Sequence, residues 1–405
     1  MSQSRSFKTI RIKFLDCVIC ILMSVSKWTY SLSYGSPFSL PYPHILHTKQ
    51  ITGGIANSET YYLKRVSRLF CSLFFLALIA SCEKPSSTFN EIYFTPIQPG
   101  DELDSPAVYH GNDEAWIVVT GKDGDRLSVY DANSGKKVRV IGSKGDGFSQ
   151  FAYPNGIWIE DDLMIIVERD NHRLQLFRLP DFEPLGFIGE TELAKPYGIN
   201  VLHDSEGQLD VFVTDSEDVK GRDLVEVHGR RIRHWKLTVE GDAISHTLVN
   251  TFGDITGPGM LYEVESIFAD RQHNRLMIAD EQENVIKVYT MDGDFTGTIL
   301  AKGRFAGDPE GIALYKCGDN YGVWIFTDQS HDGNRFHLFD RKSLKYLETF
   351  TMSQTTNTDG IWLTQKPMGK FIDGIFCALN DDKNVGVVSV SSFKEAMPQL
   401  FRCNG

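Results

Sequence analysis

Six short segments of the chain pair a small residue with an apolar one: Ser105-Pro106-Ala107-Val108, Pro154-Asn155-Gly156-Ile157, Pro196-Tyr197-Gly198-Ile199, Val264-Glu265-Ser266-Ile267, Pro309-Glu310-Gly311-Ile312 and Thr358-Asp359-Gly360-Ile361. The residue before the small one runs Pro106, Asn155, Tyr197, Glu265, Glu310, Asp359, and Asp104 and Asp308 stand two places before Pro106 and Glu310. Three consecutive copies therefore put a carboxylate at one station. Carboxylates gathered this way repel one another unless a positive charge joins them, and an oxygen-rich set suits Ca²⁺, which takes six to eight oxygen ligands in loose geometry. A second series follows each segment: Gly121-Lys122-Asp123, Glu168-Arg169-Asp170, Asp215-Ser216-Glu217, Asp280-Glu281-Gln282, Asp328-Gln329-Ser330 and Asn380-Asp381-Asp382. Its first two copies are basic, with Arg126 and Arg173 close by, and its last three are acidic or amide-bearing. Ammonium and guanidinium groups grip oxyanions such as phosphate. Asp215, Asp280 and Asp328 also read as turn caps, and His172, His331 and His337 as surface or turn residues. No GxxxxGK[ST], HExxH or GxSxG stretch supports a P-loop, a zinc protease or a serine nucleophile.

The elements that carry these series are short strands. Between them run pairs such as Trp116–Thr120 with Leu127–Tyr130 and Leu276–Ala279 with Val285–Tyr289, β-branched or aromatic and bounded by Gly, Asp, Asn or Pro. No window keeps a helical period. Six copies at this spacing predict an all-β chain folded as a six-bladed β-propeller over 91–405, because a four-stranded blade buries its faces only against its neighbours. In such a ring both series converge on one axis. The strand-like Glu91–Thr95 is expected to complete the last blade, and the long third interval to carry an insertion around Glu217–Arg231.

The amino end differs in kind. Residues 1–82 hold nine Lys and Arg against two Asp and Glu, leaving 32 basic and 51 acidic residues after them. So acidic a body offers no surface for a nucleic-acid backbone. Lys64-Arg65-Val66-Ser67-Arg68, the apolar run Leu69–Ala80 and Ile79-Ala80-Ser81-Cys82 read as a lipoprotein-type signal segment over 63–82, with Cys82 the lipidated residue. Residues 1–62 are then an upstream extension and 83–90 a polar linker. The expectation is an exported, monomeric protein held by a lipid anchor, at the outer membrane of a Gram-negative cell, in the periplasm or at the cell surface. Of the later cysteines, Cys317, Cys377 and Cys403, one pair could bridge.

The ordered motifs over about 95–390 resemble the β-propeller phytases. Asp104-Ser105-Pro106-Ala107-Val108-Tyr109 is similar to that family's Asp-Asp-Pro-Ala-Ile-Trp, Asp308-Pro309-Glu310-Gly311-Ile312 to its Asp-Ile-Glu-Gly-Leu, and Thr358-Asp359-Gly360-Ile361 to its Thr-Asp-Gly-Ile. The resemblance implies a calcium-dependent hydrolase of inositol hexakisphosphate (phytate) or a related phosphate ester. It implies Asp104, Glu265, Glu310 and Asp359 as calcium ligands, Asp308 and Gln329 as further ligands or their supports, and Lys122, Arg169 and Glu265 as the groups that serve catalysis. Two departures stand out: Ser105 replaces an Asp, and Val213-Thr214-Asp215-Ser216-Glu217 lacks the family's third-blade lysine, leaving Lys220 or Arg222 to supply it. Two other readings fit parts of the chain. Gly145–Ile157 with Asp170-Asn171-His172-Arg173-Leu174 resembles an NHL repeat, which implies a non-catalytic binding propeller. A calcium-dependent sugar-lactone-type hydrolase would need the acids but not Lys122 and Arg169.

Overall fold

The computed structural model describes residues 87–112, 114–219, 224–331 and 333–403, and the expected signal segment with Cys82 and the upstream 1–62 lie outside them. The described residues form the expected six blades. Blade 1 is Leu103–His110, Ala115–Gly121, Arg126–Asp131 and Lys137–Ile141, and blade 2 is Pro154–Glu160, Leu163–Glu168, Arg173–Arg178 and Glu183–Ile188. Blade 3 is Pro196–His203, Leu209–Asp215, Ile232–Glu240 and Ala243–Phe252, with the helix Leu224–His228 in its insertion. Blade 4 is Val264–Asp270, Arg275–Asp280, Val285–Tyr289 and Phe295–Leu300. Blade 5 is Asp308–Cys317, Tyr321–Gln329, Arg335–Asp340 and Tyr346–Met352, and blade 6 begins Ile361–Thr364, Ile375–Asn380, Asn384–Ser389.

Tyr93–Phe94 closes the ring, pairing antiparallel with Asn384–Ser389 as the outer strand of blade 6. One expectation for the adjoining residues fails. Ser87–Phe89, read as linker, runs parallel to Tyr346–Met352 as a fifth strand of blade 5. Phe89 explains it: the ring is buried against Phe350 and Phe393, with centroids 5.4 and 4.7 Å away. The pair left open among the cysteines is Cys317–Cys403, which ties the C-terminal helices Val390–Ala396 and Pro398–Phe401 to blade 5, while Cys377 is buried and free.

Apolar faces meet between every pair of neighbouring blades, including the last and the first, where Ile375, Cys377 and Leu379 pack with Val108, Ile117 and Val119. The small residues of the repeat are dictated by this closeness. A Cβ on Gly156 would fall 2.4 Å from the Tyr197 carbonyl oxygen, one on Gly198 2.5 Å from that of Glu265, and one on Gly360 2.7 Å from that of Asp104. Gly198→Ala is therefore expected to lower the melting temperature, through an overpacking cost of about 1–3 kcal/mol. An unchanged melt would show that the inner strands can part freely.

The same contacts correct the register of the first repeat. Gly360 packs on Asp104 as Gly198 packs on Glu265, so the ring station of blade 1 is Asp104 and not Pro106. Strand pairing agrees. The inner strand skips from Leu103↔Gly121 to Pro106↔Val119, as it skips from Val264↔Asp280 to Ile267↔Ile278, so that two residues oppose one. Such a β-bulge re-aims a side chain, and here it turns the station residue toward the axis. Pro106 instead aligns with Ile157, Ile199, Ile267, Ile312 and Ile361, an apolar collar directly beneath the ring that lines the central channel.

Candidate functional site

The station residues of blades 1 to 5 sit in β-bulges, and in two of these blades a threonine of the second strand holds the backbone. The Thr120 hydroxyl accepts the Ser105 N–H at 3.0 Å and donates to the Asn155 carbonyl at 2.6 Å. Thr214 does the same between blades 3 and 4, accepting from Gly198 N–H at 2.7 Å and donating to the Glu265 carbonyl at 2.8 Å. One hydroxyl thus fixes two neighbouring stations. The ring reads Asp104, Asn155, Tyr197, Glu265, Glu310, Asp359: four carboxylates, one amide and one phenol.

Lys122 leans into this ring. Its ammonium lies 3.1 Å from Asp104 Oδ1 and 3.1 Å from Asp359 Oδ2, and 3.9 Å from Glu102. Burial works against that charge, but Asp104 and Asp359 overcome it and hold the lysine pKa well above its ordinary value. Ser105 Oγ donates to Asp104 Oδ2 at 2.8 Å, Tyr197 Oη to Asp104 Oδ1 at 3.4 Å, and the Gln329 amide to Asp359 Oδ1. Ser105 therefore supports the acid beside it where the resemblance implied a second acid.

The remaining acids are under-compensated. Burial, then Glu281, Asp104, Glu263 and Asp359, drives the Glu265 carboxyl well above the ordinary range. Burial, then Glu265 and Asp359, does the same to Glu310. Asp359 is pushed up to about 8, by burial first and then by Asp104. Glu265 Oε2 is buried with no hydrogen-bond partner, and so are both side-chain atoms of Asn155. Buried polar atoms are almost always satisfied. Oxygens orphaned at the centre of an acidic ring fit a cation. Oxygen donors free of Cys and His fit a hard ion, Ca²⁺ above the softer metals.

The second series splits in two. Its first residues are structural. Asp215 accepts the N–H groups of Ala194 and Lys195 and pairs with Arg233 at 3.1 Å. Asp280 accepts from Tyr262 N–H and pairs with Lys287 at 2.8 Å, and Asp328 accepts from Ala306 and Gly307 N–H. Glu168 pairs with Arg173 at 3.1 Å. The capping alternative thus holds for all three aspartates. Arg173 is buried by this pairing, and Arg126, its side chain partly exposed, is paired with buried Asp101. His337 corrects the surface reading: it is buried between Asp328 (3.2 Å) and Thr349 (2.7 Å).

The second residues of the series, Lys122, Arg169, Ser216, Glu281, Gln329 and Asp381, follow at the same end of the barrel. Arg169 stacks on Tyr153, its guanidinium carbon 3.4 Å from the ring centroid, and pairs with Asp170 at 2.7 Å. Two residues ahead of each ring station lies a rim position: Glu102, Tyr153, Lys195, Glu263, Asp308, Asn357. Asp308 is half-buried there and acts on Glu281 rather than touching the ring acids. Glu281 and Asp382 are the acids that sequence reasoning passed over. Burial, then Glu263 and Asp308, raises Glu281, and burial raises Asp382. Their signal was their place in the series. Lys220 and Arg222 lie outside the described residues, but Lys195 stands on the blade 3 rim and lowers Glu281.

The opposite end is different in kind. Beyond the isoleucine collar a channel of about 460 Å³ is lined by aromatic residues from alternate blades. Trp158 lies 4.9 Å from Trp362 and 5.6 Å from Phe268, centroid to centroid. Glu160, Asp161 and His203 at that rim place one ligand atom each within 4.8 Å of one another, half-open to solvent, and Asp161 is shared with Lys366 at 3.7 Å.

Residues 258–395, which carry Glu265, Glu310, Gln329 and Asp359, match the phytase family model. No curated protein matches the chain. Among solved structures, virginiamycin B lyase from Staphylococcus aureus is 14% identical over 73% of this chain and 98% of its own, with a TM-score of 0.44. A calcium-binding regucalcin from Agrobacterium tumefaciens is 12% identical over 75% of this chain and 97% of its own, with a TM-score of 0.43.

Proposed function

We propose that the chain is a calcium-dependent phosphomonoester hydrolase that releases phosphate from phytate or a related phosphate ester. The observation that carries this reading is the unpartnered, buried oxygen of Glu265 within a ring of four carboxylates that Lys122 alone, among the described cations, contacts. Supporting it, the phytase family model covers three of those four acids.

In this reading Asp104, Glu265, Glu310 and Asp359 hold calcium, with the Asn155 amide oxygen as a neutral donor and Gln329 fixing the Asp359 carboxylate. Bound calcium supplies positive charge to the phosphoryl oxygens and makes a water a better nucleophile. The chain does the rest. Lys122 has three N–H donors, and its two contacts at hydrogen-bond distance, Asp104 and Asp359, leave one for a phosphate oxygen. Arg169 presents a guanidinium on the adjoining blade, and Lys195 answers for the third-blade lysine. Glu265 would give Oε2 to the ion, leaving its other carboxylate oxygen to accept a proton from the attacking water. The collar puts apolar side chains directly beneath the ring, and a less polar surrounding strengthens the charge interactions within it. The lipid anchor at Cys82 and export to the cell envelope belong to the same proposal, and place a phosphate-scavenging site outside the cytoplasm.

Phosphate release from phytate, from a simple aryl phosphate and from a sugar lactone, each with calcium and with a chelator, tests this. Calcium-dependent release from the phosphate esters is expected. Release that survives the chelator, or lactone opening alone, contradicts it. Lys122→Met should reduce kcat/KM for phytate about 10²-fold, the usual cost of one preorganised donor at developing negative charge. A change below about threefold would remove Lys122 from the phosphate site.

A further inference from the structure

Tyr153 shares a left-handed backbone with the rim residues Glu102 and Asn357 (φ +48° and +46°) and is the aromatic one of the three. Its φ is +53°, a left-handed conformation that a bulky aromatic side chain adopts only when its surroundings impose it. The imposition is visible. Its N–H is held by Asp125 Oδ1 at 2.9 Å, and its carbonyl accepts the Arg169 N–H at 3.2 Å. Asp125 is itself left-handed, at +47°, and is paired with Lys144 at 3.2 Å. Two strained residues in series thus set one ring. That ring is half-buried on the rim of blade 2, beneath the guanidinium of Arg169 at 3.4 Å. Asp170 takes the Nε and Nη2 edge of the same guanidinium, at 2.7 and 3.3 Å. The arginine is therefore clamped on one face and one edge. Burial raises the Tyr153 phenol; the charge of Lys122 acts against that rise, Glu102 adds to it and Arg169 opposes it.

We infer that Tyr153 is a positioning residue: its aromatic face fixes the Arg169 guanidinium so that it meets a phosphate oxygen of the substrate. The inference rests on the phosphate-ester reading of the site. It explains why the chain tolerates an aromatic residue at a left-handed position, where Asn would fit more easily. An unheld arginine would lose several rotors on binding. A stacked one has been ordered in advance.

The test uses the full chain and three variants, Tyr153→Asn, Tyr153→Phe and Arg169→Ala, with the double variant Tyr153→Asn/Arg169→Ala. Asn suits the backbone conformation and removes only the ring. Calorimetric phytate affinity in calcium is read beside KM and kcat for phosphate release. Tyr153→Asn is expected to weaken affinity and raise KM about tenfold, matching a desolvated cation–π contact, with kcat within about twofold. Tyr153→Phe should restore wild-type values, and Tyr153→Asn should add nothing once Arg169 is gone. Equal losses from Tyr153→Asn with and without Arg169, or an unchanged affinity, overturn the inference. If the wild-type protein binds phytate but releases no phosphate, the hydrolase reading fails while the affinity series still decides the role of Tyr153. If it binds none, both fail.

Discussion

Glu265→Gln should reduce calcium-dependent phosphate release by about 10²-fold or more, a loss on the scale of a preorganised electrostatic group, while making the calcium-free protein more stable. The two effects share one cause. Glu265 is buried, carries an oxygen with no partner and sits among Glu281, Asp104, Glu263 and Asp359. As a free carboxylate it is an uncompensated buried charge, and leaving such a group unsatisfied costs about 1–3 kcal/mol or more. Glutamine keeps the shape, removes the charge and offers two N–H donors to the acids around it. The melting temperature in chelator should therefore rise in the variant while the activity with calcium falls. If activity falls while calcium-free stability also falls, Glu265 is a structural acid and not a ligand held ready.

The second large effect is an inversion of the pH dependence of stability. A carboxyl whose folded pKa is raised binds protons more tightly in the folded state. Its stabilising contribution is full below the unfolded pKa and is lost as pH rises through the folded one. For Asp359 that window runs from the ordinary 3.8 to about 8, and Glu265 and Glu310 shift in the same direction. Without calcium the protein should melt at a higher temperature at pH 5 than at pH 8. Calcium binds the ionised ring and only the folded chain, so its stabilisation grows as pH rises. With calcium the order should reverse. Thermal melts at both pH values, with and without calcium, read this directly, and parallel curves would remove the metal from the ring.

The sequence carried the fold because each blade repeats one physical demand. A small residue is required where neighbouring inner strands nearly touch, and an isoleucine follows where the collar is packed. Glu265, Glu310 and Asp359 were legible because they occupy that repeat in phase. Asp104 was found through a family motif while its station was misassigned to Pro106, because Pro106-Ala107-Val108 imitates the small–apolar pair and a bulge leaves no mark in sequence. Asp215, Asp280 and Asp328 could not be told from mouth acids: a carboxylate at a strand end reads the same whether it meets a metal or caps a loop. Their buried partners Arg233, Lys287 and His337 lie on the third strand, and only the pairing of strands brings them together. Ser87–Phe89 was missed because a three-residue strand has no period to detect.

The central claim is that one ring of acids was built to be completed by calcium. Calorimetric titration of calcium into the metal-free full chain at pH 8 tests it most directly, with Glu265→Gln and Glu310→Gln titrated alongside. Saturable binding in the wild type, weakened at least tenfold by either substitution, is the predicted result. Binding that neither substitution disturbs, or no binding at all, would mean that the acids are held together by the fold for some other purpose.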